Sequence, residues 1–244
     1  MANRNIYEDL DQLSTAAALS IAKLINSANE MGRPFSIALS GGSTPKRLHQ
    51  CLTRSPTMET IKWGGVKLYF GDERTVEPDH EQSNYLMAKT TLFDQLPIPS
   101  ENIYRIPAEL EDHQKAADLY QQTIIETLSK SEEGIPIFDL VLLGIGDDGH
   151  IASLFPNTPI LTETASFVSP VYVPKLDTWR ISITYPVINH AKNIFILAAG
   201  TNKADIINDV LGSTNKDNVY PVQRIQPKGE LSWYLDRAAA KHII

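Results

Sequence analysis

Two hydrophobic patterns alternate along this chain. One places apolar residues at the spacing of an amphipathic helix, as in Leu10, Leu13, Ala17 and Ile21, and predicts a helix over roughly residues 8–31. The other consists of short, continuous apolar runs bounded by turn residues, which is typical of buried strands. These runs predict strands at residues 35–39, 66–70, 103–106, 138–143, 180–185 and 193–199.

Helices are predicted between most of these strands. Ser83 is placed to cap one of them, and Ser43 or Thr44 another, with Pro45 at the first helical position, where its missing N–H does no harm. A proline-rich passage over residues 156–174 carries no clear element. Apart from the first helix and the one near Thr44, the predicted helices cover residues 83–96, 111–130, 186–191, 201–211 and 230–240.

Strands that alternate with helices imply an α/β fold, with a mostly parallel sheet covered by helices on both faces. The 244 residues contain no internal repeat and no linker long enough to divide the chain. We therefore expect a single domain over residues 1–244, with room for a small extra lobe.

Composition narrows the classes of function. No apolar run approaches the roughly 18 residues that span a bilayer, and the N-terminus lacks an apolar signal core. Cys51 is the one cysteine, so an internal disulfide is excluded and a reducing compartment is indicated. The formal net charge of −7, with scattered basic residues, argues against a nucleic-acid surface. We expect a cytoplasmic protein, monomeric or weakly dimeric, that binds neither membrane nor nucleic acid.

Four polar turns each follow an apolar strand. In open α/β sheets, ligands bind at the carboxyl ends of the strands, so turns of this kind can build one site if their strands are parallel. The turns are Gly41–Thr44, Gly71–Arg74, Gly144–His150 and Gly200–Lys203.

The first of these turns, within the segment SGGSTP, suits a phosphate group. Gly41 and Gly42 let the backbone approach an anion closely. The N–H groups of Gly42, Ser43 and Thr44 would then point out of a helix N-terminus, and the two hydroxyls add donors. A capped strand-to-helix turn without a ligand explains the same residues, and the turn alone does not decide between the two.

The third turn, GIGDDGH, has the G-x-G-x-x-G spacing of a dinucleotide site at Gly144, Gly146 and Gly149. Asp147 and Asp148, however, bring negative charge to the place where a pyrophosphate would lie. The following helix is also short, and no acidic residue closes a later strand where ribose recognition needs one. We interpret these glycines as shaping a tight turn, and we expect no nicotinamide or other cofactor.

His150 stands at the end of that turn, with Asp148 two residues earlier, close enough to orient the ring or stabilise its charge. An imidazole, whose ordinary pKa is ~6.5, is a competent base at neutral pH. A satisfied structural histidine is the alternative. The six histidines show no metal-ligand spacing, and Cys51 has no cysteine partner, so no metal site is expected.

Several charged residues at strand ends are further candidates. In GDER, Arg74 could bind phosphate or stabilise an oxyanion, with Asp72 holding it in place. Lys203, near the start of a helix, and Arg180, at the start of a strand, are cations suited to a phosphate. For each of these residues an ordinary surface position is the competing interpretation.

Taken together, five segments resemble the 6-phosphogluconolactonase family in order and over nearly the whole chain: residues 36–48, 68–96, 138–156, 180–204 and 221–240. The resemblance implies the modified Rossmann-like fold shared with glucosamine-6-phosphate deaminase, and hydrolysis of 6-phosphoglucono-1,5-lactone without a cofactor. It also implies that His150 is the general base, that Arg74 is the active-site arginine of G-D-E-R, and that Lys203 is the lysine of the phosphate region. Either Asp148 or Asp72 could stabilise the imidazolium.

Two rivals share this fold. The deaminase typically continues G-H-I-A with F-N-E-P, whereas this chain has Ser153, Leu154, Phe155 and Pro156, and an apolar Phe155 cannot do the proton work of that acid. Sugar-phosphate sensors of bacterial regulators carry an added DNA-binding domain, for which the assigned segments leave no room. The sequence therefore favours the lactonase.

Overall fold

Six parallel strands form the central layer of the structure, a computed structural model that describes residues 2–212 and 220–244. Their order across the sheet places the first strand of the chain at one edge and the third at the other. In chain order the strands are β1 (Asn3–Tyr7), β2 (Phe35–Leu39), β3 (Val66–Phe70), β4 (Asp72–Arg74), β5 (Ser129–Lys130), β6 (Pro136–Ile137), β7 (Leu140–Gly144), β8 (Val168–Val173), β9 (Thr178–Ile183), β10 (Asn193–Ala198) and β11 (Glu230–Asp236).

The central sheet has the order β1-β11-β10-β7-β2-β3, and each neighbouring pair is parallel. It is flanked by helices, as the alternating pattern predicts. The helices are α1 (Leu10–Glu30), α2 (Ser43–Leu52), α3 (Thr57–Thr60), α4 (Asn84–Thr91), α5 (His113–Thr127), α6 (Tyr185–His190) and α7 (Ala204–Ile207), the last preceded by a 3₁₀ turn (Thr201–Lys203) and followed by a π turn (Asn208–Gly212).

The core follows from the apolar runs of the sequence. All five residues of β2 are buried, and so are the first four of β7, because each strand lies between two others and is covered by helices. Helix α1 buries one apolar stripe, which includes Leu13, Ala17 and Ile21, and begins at Asp9, whose side chain accepts from the Gln12 N–H.

A smaller antiparallel sheet, β4-β9-β8, joins the central sheet at Gly71. The Gly71 N–H donates to the carbonyl of Leu39 in β2, and its own carbonyl accepts from the N–H of Ile183 in β9. One residue thus connects the end of the parallel sheet to the small sheet. This small sheet corresponds to the small extra lobe for which the sequence allows.

Two predicted elements are wrong. Residues 230–240 were expected to be helical, but Glu230–Asp236 is strand β11, paired with β1 and β10. Pairing on both sides and burial of Trp233 and Leu235 outweigh the helix propensity of the alanines that follow. Residues 103–106 form no strand, and Ile103 makes only an isolated bridge to Leu68.

The start of α2 also differs from expectation. Gly42, with a φ of 101°, is the N-cap, so the helix begins at Ser43 and Pro45 is its third residue, not its first. Ser83 does cap α4, where its side chain accepts from the Leu86 N–H. Strands β1 and β8 were not predicted, since β1 lies in a polar segment and β8 in the proline-rich passage.

Candidate active site

A cavity of about 300 Å³ lies where the carboxyl edge of the central sheet meets the small sheet. The four turns singled out in the sequence all contribute to its walls, because β2, β7 and β10 are parallel and end at the same edge. The predicted convergence of these turns is therefore confirmed. From the predicted site residues, the lining includes Gly41, Gly42, Asp72, Arg74, His150, Arg180 and Lys203.

His150 and Asp148 form a hydrogen-bonded pair at one wall. The distance between His150 Nδ1 and Asp148 Oδ1 is 2.5 Å. The imidazole stacks on Phe155 with 3.9 Å between ring centroids, and its side chain keeps 26% of its surface exposed. With Nδ1 engaged and the ring held flat against Phe155, Nε2 is the ring nitrogen left for a bound water or substrate.

The glycines of this turn make room for that pair. A Cβ on Gly146 would lie 2.0 Å from His150 Nδ1 and 2.8 Å from Asp148 Oδ1. The Gly146 N–H donates to the His150 carbonyl, and the Gly149 N–H donates to the Gly146 carbonyl. These two amides are used inside the turn, so they do not form the open cradle that a pyrophosphate requires.

The surroundings of Asp148 favour its ionised form. Burial by itself would raise the pKa of this carboxyl, but the hydrogen bond and charge of His150 and the ammonium of Lys175 lower the pKa well below its usual value. An ionised Asp148 holds the imidazole in one tautomer, with the proton on Nδ1, and would stabilise an imidazolium.

Two backbone donors of the turn after β2, the N–H groups of Ser43 and Thr44, have no hydrogen-bond partner among the residues described, and they are called open amides below. The first intrahelical bond of α2 runs from the Lys46 N–H to the Gly42 carbonyl, and no side chain caps the helix. The N–H groups of Ser43 and Thr44 therefore have no intrahelical partner, as at any helix start. Gly41 and Gly42 line the cavity, whereas the Ser43 side chain is exposed and neither it nor Thr44 is part of the lining.

Two arginines of the small sheet face each other across the strands. Arg74 in β4 is paired in register with Arg180 in β9. Arg74 Nη1 donates to the Gln82 carbonyl, and Arg180 Nη1 donates to the Trp179 carbonyl at 2.9 Å. Burial, and then the charge of Arg74, lower the pKa of Arg180. Among the residues described, neither guanidinium has a carboxylate within salt-bridge distance, so this wall of the cavity attracts an anion.

Asp72 lines the cavity, but its hydrogen-bond partners differ from those that the sequence suggests. Its carboxylate accepts from Ser153 Oγ at 2.6 Å, and its backbone carbonyl accepts from Asn84 Nδ2 at 2.9 Å. The hydrogen bond to the imidazole comes from Asp148, not Asp72, and Arg74 is held by a backbone carbonyl. Asp72, Ser153 and Asn84 thus form a buried group of hydrogen-bonded polar residues in the wall of the cavity.

Lys203 reaches the cavity from the 3₁₀ turn that precedes α7. That turn starts at Gly200, whose φ is 95° and whose N–H donates to the buried carboxylate of Asp236 at 2.9 Å. Asp236 ends β11, so the strand missed by the sequence analysis anchors the turn that carries this lysine.

Sequence reasoning also missed several lining residues, among them Ser40, Asn84 and Leu176. Ser40 precedes the glycine pair and accepts from the Gly144 N–H, which links the turns after β2 and β7. Asn84 sits so close to Gly41 that a Cβ there would lie 2.0 Å from Asn84 Oδ1. Of these residues, only Ser40 could have been found from the sequence, because it directly precedes the two glycines of the first turn. Asn84 lies at the start of α4 and Leu176 at the tip of the β8–β9 hairpin, and both are remote in sequence from the four turns.

The described part of the chain, residues 2–212 and 220–244, contains no group of three His, Cys, Asp or Glu side chains that could hold a metal ion. No helix within it is both long enough and apolar enough to cross a bilayer.

Comparison with known proteins gives the class and then the family. The fold is an open α/β sheet with a cavity at the carboxyl ends of its parallel strands, the place where proteins of this class bind their ligands. A family model described as "Glucosamine-6-phosphate isomerases/6-phosphogluconolactonase" matches residues 8–233. The chain belongs to this family.

Two relatives and one solved structure match over nearly their whole length. The 6-phosphogluconolactonase of Nostoc sp. is 39% identical over 225 residues, which cover 92% of this chain and 91% of the relative. The human 6-phosphogluconolactonase is 33% identical, with 97% and 92% covered. The structure of 6-phosphogluconolactonase from Trypanosoma brucei superposes with a TM-score of 0.88 at 27% identity, covering 100% of this chain and 99% of the other.

Proposed function

We propose that this chain hydrolyses 6-phospho-D-glucono-1,5-lactone to 6-phospho-D-gluconate, the second step of the oxidative pentose phosphate pathway, with His150 as general base and without a metal ion. The observation that carries the proposal is the His150–Asp148 pair, joined at 2.5 Å, at the wall of a cavity that is also lined by Arg74 and Arg180, two arginines without an ion pair among the residues described. Relatives named 6-phosphogluconolactonase, at 39% and 33% identity over nearly the whole chain, support the same substrate.

The substrate phosphate would bind the open amides of Ser43 and Thr44 with help from Lys203. The ring would then lie across the cavity, with its C1 carbonyl beside His150. Arg74 and Arg180, paired across β4 and β9, would stabilise the negative charge that develops on the carbonyl oxygen, or share in binding the phosphate.

Two proton transfers complete the reaction. His150 Nε2 removes a proton from water as the water oxygen bonds to C1, giving a tetrahedral oxyanion and an imidazolium stabilised by Asp148. The bond from C1 to the ring oxygen then breaks, and the imidazolium returns its proton to that oxygen. The products are the open-chain carboxylic acid, which ionises, and neutral His150.

Deamination of glucosamine 6-phosphate is the competing activity of the fold. A monomeric glucosamine-6-phosphate deaminase superposes with a TM-score of 0.81 at 20% identity, a similarity that supports a shared fold but not a shared activity. The side chain stacked on the His150 ring is Phe155, at 3.9 Å between centroids, and it offers no proton. The contact favours lactone hydrolysis over ring opening of an amino sugar.

A direct assay separates the two activities. Freshly generated 6-phosphogluconolactone is supplied in a pH-stat beside glucosamine 6-phosphate, with unphosphorylated gluconolactone as a control for the phosphate contacts. We expect acid release well above spontaneous hydrolysis from the first substrate only, unchanged after exhaustive chelation. Ammonia release from glucosamine 6-phosphate, or loss of activity on chelation with recovery on adding one metal ion, would overturn the proposal.

A further inference from the structure

The hairpin between β8 and β9 reaches from the small sheet to the His150–Asp148 pair. Lys175, in the 3₁₀ turn Pro174–Leu176 at its tip, places Nζ 3.2 Å from Asp148 Oδ2 and 3.2 Å from Asp147 Oδ1. The next residue, Leu176, lines the cavity. The tip therefore touches both the substrate space and the far oxygen of the carboxylate that holds His150.

We infer that Lys175 is a positioning residue for His150, acting through Asp148. The inference rests on the proposed function, in which His150 is the general base. The Lys175 ammonium binds one carboxylate oxygen of Asp148, and the imidazole of His150 binds the other.

The geometry explains why Asp148 benefits from a second partner. A carboxylate turns about its Cβ–Cγ bond unless both oxygens are held. Asp148 Oδ1 takes two contacts from His150, its Nδ1 and its backbone N–H, and both come from the same turn. Among the residues described, Lys175 is the partner of this carboxylate from outside the turn. It fixes Oδ2, so that Oδ1 stays in line with the imidazole.

The tip is itself held in shape. Asp177, at a φ of 48°, ends the 3₁₀ turn in the left-handed region, and its side chain accepts from the Tyr172 hydroxyl. Lys175 also shares its ammonium with Asp147, which is 71% exposed, whereas the ring hydrogen bond of His150 goes to Asp148. Asp147 is thus a suitable residue for separating an effect on the turn as a whole from an effect on Asp148.

The first test compares three lysine variants in lactone hydrolysis. Lys175→Met keeps an apolar side chain of similar length without the charge. Because an exposed ion pair contributes only a small stabilisation, we expect kcat to fall roughly 2- to 5-fold with KM nearly unchanged. Lys175→Arg should recover most of the rate. Lys228→Met is the matched control: Lys228 is 55% exposed against 56% for Lys175, and it pairs at 3.1 Å with Glu133, and neither of these two residues lines the cavity.

A double-variant cycle shows whether Lys175 acts through Asp148. In an Asp148→Asn background, Lys175→Met should cause no further loss, because the contact it serves is already gone. An equal loss in both backgrounds, or the same loss in Lys228→Met, would overturn the inference. The inference would also be overturned if Asp147→Asn lowered kcat as much as Lys175→Met does, because the loss would then come from the exposed Lys175–Asp147 ion pair.

A spectroscopic measurement makes the inference independent of activity. The proton on His150 Nδ1, hydrogen-bonded to a carboxylate, gives a downfield proton NMR signal that is identified by its loss in His150→Ala. We expect it to move or broaden in Lys175→Met and to stay in place in Lys228→Met. An unmoved signal contradicts the inference, whereas a moved signal in a protein that does not hydrolyse the lactone contradicts only the proposed function.

Discussion

The turns after β2 and β7 contain similar glycine-rich sequences, SGGS and GIGDDG, but they use their backbones in opposite ways. After β2, Gly42 caps α2 without a side-chain bond, and the amides of Ser43 and Thr44 remain open at the start of a ten-residue helix. After β7, the amides of Gly146 and Gly149 donate to carbonyls of the same turn. The turn after β2 leaves backbone donors available for an anion among the residues described, whereas the turn after β7 uses its donors within the turn, which positions a side chain.

The glycines are also needed for different reasons. Gly42 has a φ of 101° with nothing within 4 Å of its missing Cβ, so its backbone conformation requires glycine. Gly146 is outside that left-handed region, yet a Cβ on it would meet His150 Nδ1 at 2.0 Å. The spacing of glycines along a sequence therefore cannot distinguish a turn with available backbone amides from a turn that makes room for a side chain.

The largest expected effect tests what the turn after β7 presents. If His150 is the general base, His150→Ala should lower kcat about 10²- to 10⁴-fold, the usual contribution of a positioned acid–base group. Because the side chain lies at the cavity wall and is 26% exposed, the temperature of thermal unfolding should change little. His242→Ala, at an exposed histidine near the C-terminus, is the control. A folded His150→Ala protein with near-normal turnover would rule out the assignment.

The next effect tests why that turn needs its glycine. Gly146→Ala would push the imidazole away from Asp148, and displacements of about 1 Å can cost on the order of 10²-fold in rate. Gly144→Ala is matched to it in the same turn, since its Cβ would meet only Ser40 Oγ at an ordinary 3.9 Å. Measured kcat should fall strongly in the first variant and stay close to wild type in the second.

Equal activity of these two variants would contradict the contrast between the turns. A crystal structure of Gly146→Ala gives the independent check, with His150 expected in a different rotamer. If the ring stays within hydrogen-bond distance of Asp148, the backbone must have shifted instead, and the turn is more adaptable than its closed hydrogen bonds indicate.

The parts of the fold that could be predicted are those with local signals. Buried runs such as 35–39 and 66–70 are strands with the expected bounds, and Ser83 caps its helix. Strand β11 could not be predicted, because Leu231, Tyr234 and Leu235 suit a helix face equally well and only the pairing with β1 and β10 decides.

The candidate site shows the same limit. Residues within a turn, such as Asp148 and His150, were predictable as neighbours because two positions separate them. Contacts made across the fold were not: the register of β4 and β9 opposes Arg74 and Arg180, and strand β8 lies in the proline-rich passage, which carries no helical or strand pattern. Asn84 and Lys175 enter the site through such contacts, so no local pattern marks them.

Lys203 tests the other side of the comparison, the phosphate. Removing a charge-assisted bond to the substrate costs roughly 1.5–3 kcal/mol, which is ~10- to 150-fold in kcat/KM. Lys203→Ala should fall in this range, mainly through KM, and should hardly change the slow hydrolysis of unphosphorylated gluconolactone. Lys241→Ala, at an exposed lysine near the C-terminus, serves as the control. Equal losses on the two lactones would place Lys203 at the carbonyl instead of the phosphate.

The smallest effect distinguishes the backbone of the turn after β2 from its side chains. Ser43→Pro removes one open N–H while suiting the first position of a helix, and Gly42 before it has a ψ of 176°, which a following proline accepts. One lost hydrogen bond to a charged group should raise KM about 10-fold. Ser43→Ala keeps the amide and loses only an exposed hydroxyl that is not part of the cavity lining, so its KM should match wild type. If Ser43→Pro also binds normally, the amides do not hold the phosphate, and the paired Arg74 and Arg180 become its binding site. The two turns would then differ in their hydrogen bonds without differing in their ligands.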